Sequence, residues 1–274
     1  MPELPEVETV VQELIHQKLQ GQTIEKVEVL WPKTVAIPSM GEFIQKMTHL
    51  TIERVARRGK YIVFSLSRGY SLYVHLRMTG RFSFTPPHHT RLIVHLADGR
   101  TLYYNDPRKF GRWSLVKDTA HLESKLGVEP LDSDFTHQKL NQILTTRNRQ
   151  IKPLLLDQTI IAGLGNIYVD EALWFAKIHP KTLSAQLTPK EIEQLFKGIQ
   201  HVLWRGLSTK GTTLGKGKSN FYRVDGSAGT HQEILYAFRR TGLPCPRCKT
   251  LIARILVGQR SSHYCPHCQV VQAS

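Results

Sequence analysis

The sequence predicts a multi-domain α+β protein: an N-terminal β-sandwich or barrel packed by one helix, a helical domain behind it, and a short metal-held segment at the end. Three observations point there. Short β-rich runs fill the chain from Thr23 to about Val116 and give way after Pro130 to helical periodicity. A length of 274 residues is ordinary for two bodies, each able to bury a core. All four cysteines lie beyond Pro244, as two C-x2-C pairs.

Taken in order, residues 4 to 19 place Val7, Val10, Val11, Leu14, Ile15 and Leu19 on one helical face, with Pro5 near the start. The β-rich runs are Ile24 to Trp31, Ile52 to Ala56, Tyr61 to Leu66, Leu72 to Leu76, Leu92 to Leu96 and Thr101 to Tyr104, the last two joined by an Asp98-Gly99 hairpin turn. Helical segments follow near 134 to 146, 152 to 158 and 167 to 178. Thr188-Pro-Lys-Glu191 reads as a capping box opening an amphipathic helix through Ile192, Leu195, Phe196, Ile199 and Leu203. Residues 206 to 230, rich in Gly, Ser, Thr and Lys, read as a mobile loop. Domain limits are expected near 130/131 and 240/241, and the chain has no internal repeat.

Composition narrows the function. With 41% hydrophobic and 22% charged residues the chain is neither disordered nor collagen-like, and it has no apolar run of about 18 residues to span a bilayer. The acidic, proline-punctuated start is unlike a secretory signal, so a cytosolic protein is expected. A net charge of +15, of which +10 falls between 131 and 274, calls for a polyanionic partner bound mainly by the second half.

Cys245-Pro-Arg-Cys248 and Cys265-Pro-His-Cys268 have the spacing of a tetrahedral zinc site. Disulfide or redox chemistry is the alternative, weak in a reducing compartment. Four ligands leave no open position, so the expected cofactor is one structural Zn²⁺, which must supply folding energy to a segment too short for its own core.

Met1-Pro-Glu-Leu-Pro-Glu-Val-Glu-Thr9, Arg58-Gly-Lys60, His75-Leu-Arg-Met-Thr-Gly80, Asp106-Pro-Arg-Lys-Phe-Gly111, Gly163-Leu-Gly-Asn-Ile-Tyr168 and the four-cysteine segment occur in this order across nearly the whole chain. Together they resemble the formamidopyrimidine-DNA glycosylases, which excise oxidised purines such as 8-oxoguanine and then cut the strand. Leu4 favours this branch over the related endonuclease VIII branch, which typically has Gly there. The resemblance implies a catalytic β-sandwich over 1–130, a helix-two-turn-helix domain with a lesion-covering loop over 131–240, and a β-hairpin zinc finger over 241–274. It also implies a monomer acting on double-stranded DNA that carries damaged bases, in the bacterial cytosol.

The chemistry of the residues agrees. With Met1 removed, Pro2 offers a secondary amine whose ordinary pKa of about 8 leaves a useful unprotonated fraction. Its attack on the sugar C1′ yields, after ring opening, an iminium that is charged without a proton and so drives eliminations. Glu3 can protonate the opening sugar oxygen as a general acid. Glu6 and Glu8 read first as an acidic pair favoured by the helix dipole, with a supporting role for Glu6 as the alternative. By resemblance Lys60 lies close to the reacting nucleotide, and Met78, Arg108 and Phe110 fill the space left by an extruded base; sandwich core is the other reading for Met78 and Phe110. Asn166 opens a helix whose bare N–H groups suit a phosphate. Arg147 and His89 match DNA contacts, Arg149 reads as a solvated basic residue, and Arg260, after a Gly258-Gln259 turn, matches a phosphate clamp.

Two departures from the family pattern bear on substrate range. The loop between about Thr212 and Gly229 is longer and richer in glycine than the family pattern, and Arg91 stands where a second histidine is common. Three other functions compete: an enzyme preferring oxidised pyrimidines, a catalytically silent DNA-binding protein, and a zinc-ribbon accessory protein for RNA. The last two leave Pro2, Glu3 and Lys60 unexplained.

Overall fold

A computed structural model describes residues 1–215 and 221–271. By internal contacts they form two compact units, one of Met1–Glu123 with Leu207–Gln232, the other of Ser124–Gly206 with the chain from Glu233 onward. Among the described residues no helix is long and apolar enough to cross a membrane.

The first unit opens with α1 (Leu4–His16). Its three valines resist helix formation through their branched side chains. Packing overrides this: Leu4, Val7, Val10, Val11 and Leu14 are at most 2% exposed, and each such burial stabilises by roughly 1.5–3 kcal/mol. The helix ends three residues before the expected Leu19. Lys18 adopts a left-handed φ of 53°, and the Leu19 N–H reaches back to the Leu14 carbonyl at 3.2 Å, so Leu19 still enters the core by a turn.

The strands β1 (Ile24–Val29), β2 (Val35–Ile37), β3 (Ile52–Arg58), β4 (Tyr61–Leu66), β5 (Tyr70–His75), β6 (Arg81–Ser83), β7 (Thr90–Leu96), β8 (Thr101–Asn105) and β9 (Arg112–Val116) build two sheets. Their orders are β2-β9-β5-β4-β3 and β1-β7-β8-β6. Phe64, Phe82, Tyr104 and Trp113 meet in one aromatic core, with Trp113 5.3 Å from Tyr104 and 5.6 Å from Phe82 between ring centres. The expected β-sandwich with a packed helix is what forms. The six β-rich runs all become strands, while β2, β6 and β9 add to them. A helix α2 (Met40–Met47), hidden in the β-rich stretch, is only two turns long and buries just Phe43 and Met47.

The segment 206–230 departs from a simple loop. The Thr188 helix runs on to Ser208, and beyond it Phe221 and Val224 join the β core. Arg223 Nε is ion-paired with Glu13, and the Val224 N–H donates to Glu13 Oε2 at 2.7 Å. Positions 216–220, the glycine- and lysine-rich centre of the loop, lie outside the described residues.

The second unit contains, after the short α3 (Ala120–Glu123) closes the first, α4 (His137–Thr145), α5 (Ile151–Leu156), α6 (Asn166–Ala176), most of α7 (Pro189–Ser208), and a hairpin of β10 (Ala253–Val257) and β11 (Arg260–Tyr264). The capping box at α7 is present: the Thr188 N–H donates to Glu191 Oε2 at 2.8 Å and the Glu191 N–H to Thr188 Oγ1 at 3.3 Å. In the hairpin, Val257 pairs with Arg260 around Gly258 and Gln259, whose φ values of 53° and 61° suit a two-residue turn of the twist that antiparallel strands need.

Candidate functional site

The start of the chain is held rigidly. Pro2 is buried and Glu3 is 3% exposed. The Glu3 N–H donates to Glu6 Oε2 at 2.9 Å, and the other Glu6 oxygen accepts the Thr212 N–H at 2.7 Å. Glu6 is therefore no solvated first-turn acid. It is a buried carboxylate, 1% exposed, that fixes the backbone of Glu3 and the root of the 212–229 segment together. Glu8 also has a specific partner, the Arg57 guanidinium at 3.0 Å. The acid three residues after Glu3 was the available sequence signal for this capping arrangement.

Lys60 follows Gly59 in the turn between β3 and β4 and is 5% exposed. Close by, burial pushes the His75 imidazole down to about 3, with the Arg77 and Lys60 charges adding to the effect. Its Nδ1 accepts the Arg77 N–H at 3.0 Å, and its ring meets Tyr61 edge-on at 4.8 Å, so the ring is neutral near pH 7. An unfolded histidine titrates near 6.5. Below that pH the unfolded chain takes up a proton that the native chain refuses, so this contribution is complete above about 6.5 and is lost as pH falls toward 3. The expected loss between pH 7 and pH 5 is roughly 2 kcal/mol. Denaturant midpoints of the parent and His75→Gln at the two pH values check this; an equal slope in both would assign the loss to other groups.

Met78 and Phe110 are not core residues: they are 37% and 47% exposed. Met78 sits between β5 and β6, and Arg108 and Phe110 sit between β8 and β9. The Arg108 guanidinium lies 4.8 Å from the centre of the Phe110 ring. An open cavity of about 340 Å³ is lined by Met1, Arg77, Met78, Phe110 and Arg112. The chain start and two of the three expected base-replacing side chains thus face one space.

Buried Asp106 ties these two loops. Its Oδ1 accepts the Thr79 hydroxyl, and its Oδ2 accepts the Gly111 N–H at 2.7 Å. Arg91 Nε donates to the Asp106 carbonyl at 2.9 Å, so the residue at the unusual position supports this loop from behind. Gly111 has no alternative, since a Cβ there would lie 1.7 Å from the Tyr104 hydroxyl. His89, half-buried, donates its N–H to Asn105 Oδ1 at 3.0 Å and accepts the Asp106 N–H at 3.0 Å.

In the second unit, Asn166 begins α6 and donates from Nδ2 to the Ser261 carbonyl at 3.0 Å. The same carbonyl accepts from Lys152 Nζ at 2.8 Å. Lys152 is fully buried and ion-paired at 2.5 Å with Asp170, whose second oxygen accepts the His263 N–H at 2.9 Å. Exposed Arg260 is thereby anchored through the residue that follows it. Lys152 and Asp170 were missed; their only sequence signal is a charge within an apolar helical run. Arg147 is exposed and donates to the Ile143 carbonyl at 3.1 Å, capping α4, while Arg149 pairs with Asp157 at 3.0 Å.

The four cysteine sulfurs lie within 4.8 Å of one another, and none is in a disulfide. Four thiolates about 2.3 Å from a central zinc stand about 3.8 Å apart, so the cluster fits the ion. It is a closed structural zinc centre.

Family models match residues 1–113 (Formamidopyrimidine-DNA glycosylase N-terminal domain), 126–217 (Formamidopyrimidine-DNA glycosylase H2TH domain) and 242–270 (Zinc finger found in FPG and IleRS). A formamidopyrimidine-DNA glycosylase of Protochlamydia amoebophila is 49% identical over 98% of this chain and 99% of its own. The crystal structure of the MutM (FPG) protein from Thermus thermophilus superposes with a TM-score of 0.89 at 37% identity, covering 99% of this chain and 100% of that one. A Lactococcus lactis FPG mutant in complex with a Fapy-dG containing DNA gives 0.89 at 37% identity, over 98% and 100%.

Proposed function

This chain belongs to the formamidopyrimidine-DNA glycosylase family, and from that premise we propose that it is a base-excision-repair glycosylase and abasic-site lyase that removes oxidised purines from duplex DNA in the cytosol. The observation that carries this reading is the cavity shared by the start of the chain, Met78 and Phe110. Met1 lines this cavity, so its removal would free the amine of Pro2, the proposed nucleophile, toward the groups proposed to replace an extruded base.

In the proposed reaction the Pro2 nitrogen attacks C1′ and the damaged base leaves. Glu3 gives a proton to the sugar ring oxygen as the ring opens, forming an iminium between Pro2 and C1′. Loss of a proton from C2′ expels the 3′-phosphate, and a second elimination expels the 5′-phosphate. A one-nucleoside gap flanked by phosphates remains. Lys60 assists the first elimination, and Arg260 holds a phosphate near the lesion for the second. His89, Arg147 and Asn166 contact the backbone, and Arg108 faces the orphaned cytosine. The protein acts as a monomer, with 1–130 as catalytic domain, 131–240 gripping DNA and 241–274 as the zinc finger.

Single-turnover assays on two duplexes test the reading, one with 8-oxoguanine opposite cytosine and one with a preformed abasic site. The parent is expected to cut both. Met78→Ala is expected to slow the first by about 10-fold or more, because base extrusion costs a few kcal/mol that the methionine helps to offset. Cleavage of the second should change much less. Equal losses would remove Met78 from the wedge role, and faster action on an oxidised pyrimidine would overturn the purine assignment.

A further inference from the structure

The zinc centre has a neighbour that the four-cysteine pattern does not reveal. Trp174, in the last turn of α6, is 4% exposed, and its indole Nε1 donates a hydrogen bond to the sulfur of fully buried Cys245 at 3.4 Å. Its ring is gripped from both sides. The Arg247 guanidinium lies 3.8 Å from the ring centre, and Tyr236 stacks on it at 4.3 Å with an interplanar angle of 17°. Two groups that close can only occupy opposite faces. Arg247 comes from the same C-x2-C turn as Cys245. It also donates to the Trp174 and Phe175 carbonyls at 2.7 and 2.8 Å, which closes the C-terminal end of α6.

We propose that Trp174 is a hydrogen-bond partner of a zinc-bound thiolate, setting the electron density on Cys245 and the grip of the site on its metal, and that Arg247 and Tyr236 fix the indole for this role. A thiolate bound to zinc is a strong donor that stays open to protons and electrophiles. An N–H directed at the sulfur withdraws charge from it and fixes its orientation, as the outer partners of metal ligands do elsewhere. Helix α6 carries Asn166 at its first turn and Trp174 at its last, so the metal also steadies the helix expected to present a phosphate site.

The inference rests on the zinc reading of the four thiols, and the test separates the two. Cobalt(II) titrated into the metal-free full-length parent should give the absorption of a tetrahedral thiolate site; its failure to do so would overturn the zinc reading itself. Trp174→Phe keeps an aromatic face for Arg247 and Tyr236 but removes the N–H donor. Its sulfur-to-cobalt charge-transfer band is expected to move to longer wavelength, and its zinc affinity, measured by competition with a chromogenic chelator, to fall by about 10-fold or more. Arg247→Leu removes one of the two groups that hold the indole yet leaves the N–H and the Tyr236 stacking in place, so its band should move by less than half as much, even if the protein melts earlier. An unshifted band and a zinc affinity within twofold of the parent in Trp174→Phe would overturn the proposal. An equal band shift in Arg247→Leu would also overturn it, since general loosening would then be the cause.

Discussion

A chain that keeps Met1, or carries one extra residue ahead of Pro2, is expected to form no borohydride-trapped adduct with DNA containing 8-oxoguanine opposite cytosine, a loss of at least about 10³-fold. The reason lies in the nitrogen. In a peptide bond its lone pair is delocalised into the carbonyl, whereas at the chain end Pro2 is a secondary amine able to attack. Borohydride then delivers hydride to the iminium carbon and leaves a stable amine linking protein and sugar. The local structure suits this step: Pro2 is buried, Glu3 is fixed by Glu6, and Met1, 43% exposed, lines the open cavity. Peptide mapping of the trapped complex identifies the linked residue. An adduct that survives on an internal lysine such as Lys60 would overturn the assignment of Pro2.

Cys248→Ser is expected to cost nearly all zinc and, with it, most affinity for any duplex. Apart from the polar anchors on Ser261 and His263, the hairpin segment buries few apolar side chains, Ile252 and Val257 among them. Leu251 and Leu256 are 58% and 67% exposed, and the small buried cluster consists of Trp174, Ala237, Cys245, Ile252 and Cys265. A structural zinc is worth about 10–16 kcal/mol of folding energy in isolated fingers, far more than burial of Ile252 contributes. Loss of the hairpin strands should remove the phosphate contact proposed for Arg260, lowering affinity and making the salt dependence shallower by roughly one counterion. Fluorescence anisotropy across a salt series checks both. Full affinity in a metal-free protein with a disordered hairpin would overturn the prediction.

The sequence was most legible where periodicity and spacing act locally. The apolar face of α1, the capping box at Thr188 and the four-cysteine pattern each report a structure that a few neighbouring residues decide. Legibility fell wherever the deciding partner lies far along the chain. Glu6 looks like an ordinary first-turn acid until Thr212 meets it, and Lys152 looks like a surface lysine until Asp170 and Ser261 close around it. Asp106 opens the Asp106–Gly111 motif, but its work of tying Thr79 to Gly111 needs two separate loops. For Met78 and Phe110 the sequence left a sandwich-core reading open, and their exposure and the cavity they share with Met1 required the fold.

The return of Leu207–Gln232 to the first unit has a bearing on how the protein is made. A ribosome that has released only the first 123 residues has exposed every strand of the sandwich but neither Thr212 nor Arg223. At that stage the carboxylates of Glu6 and Glu13 lack the Thr212 and Val224 N–H groups that they accept in the finished molecule, while Glu6 keeps its bond from the Glu3 N–H. The contacts that hold α1, which follows the proposed nucleophile, are thus complete only after the helical unit has been synthesised.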